Sequence, residues 1–279
     1  MSPNLLIAGH IAKDITGDGW RAGGGVLYAA AQASRLGLKV GVVTACSAEL
    51  DPTSLLPGVD WHVLPSESTT TFENVYKGGM RQQRLLAVAR SIVMADLPDA
   101  WLEAPLALLT PLFHEIESTM PAALSARGSY VGLGAQGWLR RLDGDRIRPV
   151  DFESSPAWLA GDVVFLSEED ITQPEAVAAW QKRIPIVVLT RGYRGCMIWD
   201  ERGRHDLSAA PVAEVDPTGA GDVFAAAFIV KYSEERDVLK AAGFAAAASA
   251  LAVRGEGISA IAGREEIEAV LSRGQVKVA

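Results

Sequence analysis

The residues best equipped for chemistry lie between Val215 and Phe228, where the chain reads Val-Asp-Pro-Thr-Gly-Ala-Gly-Asp-Val-Phe-Ala-Ala-Ala-Phe. Asp216-Pro217 breaks any preceding element, Gly219 and Gly221 permit unusual backbone angles, and the Ala-rich run after them reads as a buried helix. A glycine turn feeding a helix aims unpaired backbone N–H groups and the helix dipole at one point, which suits a phosphate or a developing oxyanion. A carboxylate, Asp222, stands at that same point. Beside an anion site a negative side chain is unfavourable unless it accepts a proton, so Asp222 reads as a general base; the competing reading is a plain helix cap.

Three further stretches carry chemical potential. Thr190-Arg-Gly192-Tyr-Arg-Gly195 combines a hydroxyl, two glycines and two arginines at the end of an apolar strand, which makes either a phosphate-contacting loop or a hairpin with solvated arginines. Ser167-Glu-Glu-Asp170 is either a water-mediated Mg2+ contact or a helix start with acidic residues in its first turn. Gly132-Leu-Gly134-Ala-Gln-Gly137 matches the dinucleotide pattern GxGxxG, but Trp138-Leu-Arg-Arg-Leu-Asp-Gly follows in place of an apolar helix, so a nicotinamide enzyme is the outsider. The chain has no GxxxxGK[ST], no HRD or DFG set and no GxSxG elbow. His10, His62, His114 and His205 show no zinc spacing, and Cys46 and Cys196 lie far apart, which fits a reducing cytosol and a cytoplasmic location.

The elements that must position these residues read as an α/β alternation. Leu5 to Ala8 is a short apolar strand ending at Gly9, and Asp14 lies just beyond its carboxyl end, the edge where open parallel sheets bind ligands. Gly23-Gly24-Gly25 precedes an Ala-rich helix, Val26 to Leu36, stopped by Gly37. Strands are expected at 39–45, 106–109, 130–133, 163–166, 186–189 and 195–199, and helices near 119–127, 174–183, 237–253 and 264–273. Between 60 and 89 no helix is evident; 61–64, 69–76 and 81–87 read as a small inserted antiparallel sheet with Gly78-Gly79 as a turn, able to cover a cleft as a lid. With 279 residues and 49% apolar content the chain can bury one large core, and no linker or repeat divides it. A net charge of −8 argues against nucleic acid or an anionic membrane as main partner. The N-terminal apolar run is too short for a signal peptide, and no window reaches a membrane span.

In this order the pieces resemble the ribokinase-like (PfkB-type) carbohydrate kinases along the whole chain. Asp216-Pro-Thr-Gly-Ala-Gly-Asp222 is similar to that family's DTGAGD signature, Gly23-Gly24 with Arg35-Leu36-Gly37 to its GG…LG element, and Phe244 to Gly257 to its adenine-side helix and turn. The resemblance implies a doubly wound, mostly parallel sheet with helices on both faces, one domain over 1–279, and a lid formed mainly by 11–22 and 60–90. It implies Asp222 as the base, with Gly219, Ala220 and Gly221 forming the anion hole. Asp14, Gly23, Gly24 and Tyr28 would meet the substrate, and Thr190, Gly192, Gly195 and Thr218 the nucleotide. ATP and Mg2+ would be cofactors, with Asp170 near the metal through water. Asp216 would lie at the K+ site that some members have. Tyr28 stands where many members carry Asn, and Ser167-Glu-Glu-Asp170 replaces Asn-x-x-Glu. Those departures, with Thr70 to Tyr76 and Gln136-Gly-Trp-Leu-Arg140, are closer to the inositol-kinase-like branch, where Asn74, Glu115, Gln136 and Arg140 become candidate polyol or phosphate contacts. The implied activity is an ATP-dependent kinase of a small sugar or cyclic polyol such as myo-inositol, acting as monomer or homodimer. The alternatives are a nucleoside kinase on the same fold and a non-catalytic sugar- or nucleotide-binding module.

Overall fold

The computed structural model describes residues 2–17, 19–77 and 80–276, so the Gly78-Gly79 turn lies outside the described residues. A fully buried strand, β1 (Leu5–Ala8), leads to a polar hairpin, β2 (Ala12–Thr16) and β3 (Gly19–Gly23), and then to helix α1 (Gly25–Arg35). Next come β4 (Val40–Cys46), the single-turn α2 (Pro52–Leu55), β5 (Asp60–Pro65), β6 (Thr70–Lys77) and β7 (Met80–Ala87). The middle of the chain holds β8 (Leu106–Leu109), α3 (Met120–Ser125), β9 (Tyr130–Gly134), β10 (Arg140–Asp143) and β11 (Arg146–Pro149). β12 (Val163–Ser167), β13 (Ile186–Thr190), β14 (Cys196–Asp200) and β15 (Gly203–Leu207) precede helices α4 (Ala220–Glu235), α5 (Val238–Ala252) and α6 (Arg264–Ser272).

Nine strands form the main sheet in the order β15-β14-β13-β12-β9-β8-β1-β4-β5, parallel from β5 to β13 with β14 and β15 antiparallel at one edge. The apolar runs expected for doubly covered strands divide by side-chain parity. Leu5 and Ile7 of β1 join the core beneath α1, α4 and α5, whereas Leu6 and Ala8 join a second core with Trp138, Trp158 and Trp180 on the opposite face. Helix α4 is apolar nearly all round because it is buried nearly all round: Phe224 and Phe228 meet the ring of Phe165 at centroid distances of 6.2 and 5.3 Å. Each such ring stabilises the fold by about 1.5–3 kcal/mol, so α4 is held by packing over its buried stretch, Val223 to Val230. The chain leaves β1 for β4 on one side and resumes at β8 on the other, which makes the carboxyl ends of β1 and β8 the topological switch point.

Six strands form a separate sheet in the order β10-β11-β7-β6-β2-β3. Three expectations are corrected here. Residues 60–65 do not enter this sheet but extend the main one, pairing in parallel with β4 from Gly41↔Asp60 to Cys46↔Pro65. β-branched and aromatic content marks a strand without saying which sheet takes it. The second sheet is also mixed, since β2 pairs in parallel with β6, and it gains β10 and β11, which turn at Gly144-Asp145 and join through Arg146↔Arg84. Gly132 to Gly137 runs into a 3₁₀ turn over 135–139 and then this hairpin, so no helix opens there and the dinucleotide reading is dropped.

Candidate active site

Gly219 takes the left-handed conformation, φ 78° and ψ 0°, immediately before α4. A side chain on it would run into the ring of Tyr28, which lies directly under the turn. Tyr28 is 3% exposed, and its ring supports the glycine turn from below. Its hydroxyl is pushed above the usual tyrosine range by burial first, and then by Asp216, Asp14 and Asp222, which share its surroundings. Ala220 N–H turns back to Pro217 O at 3.2 Å, so of the three predicted anion-hole donors Gly219 and Gly221 remain.

Asp222 occupies the first turn of α4, and a methyl placed on Gly25 would lie 2.6 Å from its Oδ1. Helix α1 therefore meets the catalytic candidate at a glycine. Burial lifts the Asp222 carboxyl to about 7, the negative charge of Asp170 adds to the rise, and Arg140 and the residue's own N–H oppose it. Asp170 is itself raised by burial, against Ser167 N–H at 2.8 Å, Arg140 and Gln136 Nε2 at 3.3 Å. Arg140 donates to Leu112 O at 3.0 Å and lies over the Phe72 ring, 5.6 Å from its centroid, which fixes it between the second sheet and the two carboxylates. Two acids and one arginine, far apart in sequence, thus share one low-dielectric space. A carboxyl near 7 there can accept a proton from an alcohol at neutral pH.

The remaining predicted residues fall into two groups. Asp14 faces Gly23, where any side chain would meet its carboxylate, and Asn74 accepts from Gln83 Nε2 at 3.4 Å across the β6–β7 pair. Asp14, Phe72 and Arg21 stand in register on adjacent strands. On the other side, Thr190, Gly192 and Gly195 form the tight turn between β13 and β14, with Thr190 Oγ1 donating to Leu166 O at 3.2 Å. Its arginines are paired: Arg191 with Asp206 at 3.0 Å and Arg194 with Glu168. Glu115 is not part of this space; it is 1% exposed and fully engaged by backbone N–H groups. Sequence reasoning missed Thr110, Arg21 and Gln83. Thr110 follows the apolar run of β8 directly, so the carboxyl-end rule applied to Asp14 would have found it.

The two ions fit unequally. Among the described residues no three acidic, His or Cys side chains converge on a metal position. Asp170 beside Asp222 suits an outer contact to Mg2+, whose other ligands would be donor phosphates and water. Asp216 does not fit a K+ ligand in this arrangement. Its carboxylate takes Thr218 N–H at 3.0 Å, Gly257 N–H at 3.4 Å and Arg21 Nη1 at 3.4 Å, and Arg21 also reaches Glu256 at 3.5 Å. Burial works against this carboxylate, but those donors prevail and hold it below its usual range. A bare cation would have to displace the guanidinium.

The glycine turn at the start of α4, the raised carboxyl and the second sheet sit in a fold that solved relatives share. Residues 162–262 match the model of the pfkB family carbohydrate kinases. The inositol 3-kinase of Oryza sativa subsp. japonica is 28% identical over 80% of this chain and 61% of its own length, and a cytidine kinase of Thermococcus kodakarensis is 26% identical over 84% and 90%. The chain thus spans about 61% of the length of the rice relative. A pyrophosphate-dependent kinase in the ribokinase family, solved with a pyrophosphate analog and myo-inositol, superimposes with a TM-score of 0.81 at 26% identity, covering 95% of this chain and 99% of that one. The chain is thus similar in sequence to the pfkB carbohydrate kinases over residues 162–262 and shares the ribokinase-like fold along nearly its whole length.

Proposed function

We propose that this chain transfers the terminal phosphoryl group of ATP to a hydroxyl of a small sugar or cyclic polyol, with myo-inositol the first acceptor to try. The observation that carries the reading is Asp222: its carboxyl is lifted to about 7 at the mouth of a glycine turn whose N–H groups face the same space. Asp222 takes the proton of the acceptor hydroxyl, whose oxygen forms the new bond to phosphorus as the bond to the leaving phosphate breaks. The Gly219 and Gly221 N–H groups bind the charge that gathers on the transferring group. Asp14, Asn74, Gln136 and Arg140 hold the acceptor, with Gly23 and Gly24 leaving room for it. Thr190, Gly192, Gly195 and Thr218 border the donor. Mg2+, held by donor phosphates and through water by Asp170, would neutralise phosphate charge. The second sheet acts as a lid whose closure excludes water, the competing acceptor.

Two variations have specific support. The cytidine kinase aligns over most of both chains, which keeps a nucleoside as the alternative acceptor. The solved relative uses pyrophosphate, which makes that compound the alternative donor. Product formation followed by phosphorus NMR, with myo-inositol, fructose, ribose and cytidine each offered with ATP or with pyrophosphate, separates the eight combinations. Phosphorylation of myo-inositol by ATP is the expected result; phosphorylation of cytidine alone would overturn the polyol assignment, and no transfer from either donor would revive a binding module.

A further inference from the structure

Beside Asp222 one buried oxygen lacks a partner. Thr110 follows β8 at the switch point, donates its own N–H to Ala8 O at 2.9 Å and is 2% exposed, yet its Oγ1 makes no hydrogen bond among the described residues. A hydroxyl in so dry a place is nearly always bonded. Three glycines surround it. A methyl on Gly9 would lie 3.1 Å from Oγ1, one on Gly134 would lie 3.4 Å from Cγ2, and one on Gly25 would lie 3.0 Å from Oγ1 and 2.6 Å from Asp222 Oδ1. Thr110 Oγ1 and Asp222 Oδ1 therefore flank the same glycine. Both oxygens lie within 3.0 Å of the position a Gly25 methyl would take, so they are near enough to each other to share hydrogen bonds with one oxygen beside that glycine, two such bonds spanning about 4.5–5.6 Å.

We propose that Thr110 is a further catalytic residue: its hydroxyl donates a hydrogen bond to the acceptor oxygen while that oxygen's own proton points at Asp222. This rests on Asp222 being the base. An alcohol oxygen held by two bonds keeps one lone pair directed at phosphorus, which is the orientation in-line transfer requires. In the step, the acceptor O–H bond breaks and its proton goes to Asp222 Oδ1. The acceptor oxygen forms the bond to phosphorus, and the bond to the leaving phosphate oxygen breaks with its electron pair on that oxygen. Thr110 keeps its proton throughout. The hydroxyl thus acts on orientation rather than on affinity.

The test compares Thr110→Val, Thr110→Ser, Asp222→Asn and the Thr110→Val/Asp222→Asn double variant on the acceptor that the wild type phosphorylates. Thr110→Val keeps the shape and removes the hydroxyl; it should lower kcat about 10- to 100-fold with the acceptor KM within about threefold, and Thr110→Ser should stay within about threefold of wild type. The melting temperature of Thr110→Val should not fall, because the hydroxyl has no partner to lose in the unliganded protein. In the Asp222→Asn background the valine should add no further loss. If Thr110→Val fails to fold, Thr110→Ala carries the same comparison. A kcat within twofold of wild type beside an inactive Asp222→Asn overturns the Thr110 proposal alone. A raised KM with unchanged kcat also overturns it, since the hydroxyl would then only bind. Retained turnover in Asp222→Asn removes the base itself.

Discussion

Two carboxylates near the switch point, Glu115 and Asp222, live in opposite surroundings. Glu115 is 1% exposed and accepts from the N–H groups of His10 at 3.0 Å, Leu112 at 2.7 Å and Phe113 at 2.7 Å. The His10 ring continues the arrangement: Nε2 donates to Arg90 O at 2.9 Å, a carbonyl that can only accept, which leaves Nδ1 to accept from Thr70 Oγ1 at 2.7 Å. Both feet of the β6–β7 pair are tied to β1 in this way. Asp222 has only its own N–H and Arg140 in its favour, with Asp170 opposing. Glu115 is fully buried and Asp222 half-buried. Convergent backbone donors hold one as a structural anchor, and their scarcity leaves the other's carboxyl raised, as the proposed base requires.

Removing each carboxylate should therefore break different properties. The largest expected effect is on turnover: Asp222→Asn should lower kcat about 10²- to 10⁴-fold in a steady-state assay while leaving the fold intact. Next is stability: Glu115→Gln turns an amide N–H2 toward backbone donors and should cost about 2–4 kcal/mol in urea unfolding, with turnover per folded molecule little changed. Gly219→Ala tests what supports the Asp222 turn. Its left-handed φ and the Tyr28 ring beneath it should together cost about 1–3 kcal/mol and reduce activity more than Glu115→Gln does per folded molecule.

A smaller effect concerns pH. The folded chain holds the Asp222 proton up to about 7, whereas an unfolded aspartate releases it near 3.9. The native state binds the extra proton between those values, so this residue makes stability fall as pH rises through the window. Asp222→Asn should lose that dependence, and its melting temperature should gain on wild type from pH 4 to pH 8. Asn74→Ala, which removes one amide from the second sheet, should do least: a rise of a few-fold in acceptor KM without a change in kcat.

Much of this was legible in the residues. The glycine turn, the strand at Leu106 to Leu109 and the helix at 264–273 are local patterns, and the observed elements follow them closely. Sheet membership was not legible. Trp61 to Leu64 reads as a strand in either sheet, and only pairing with β4 decides it. Nor could spacing reveal that Arg140 and Asp170 would face Asp222, or that Glu115, acidic and close to a strand end, would be consumed by backbone donors. Nor could spacing show that the Tyr28 ring would fill the underside of Gly219.

The most direct test of the contrast is the pH dependence of kcat between pH 5 and 9, for the wild type and Asp222→Asn on the same acceptor. Turnover in the wild type should rise with pH through an apparent pKa of about 7, and the variant should lose both that limb and its rate. A limb that persists in the variant, or a wild-type rate already flat from pH 5, would contradict the assignment of Asp222 as the base.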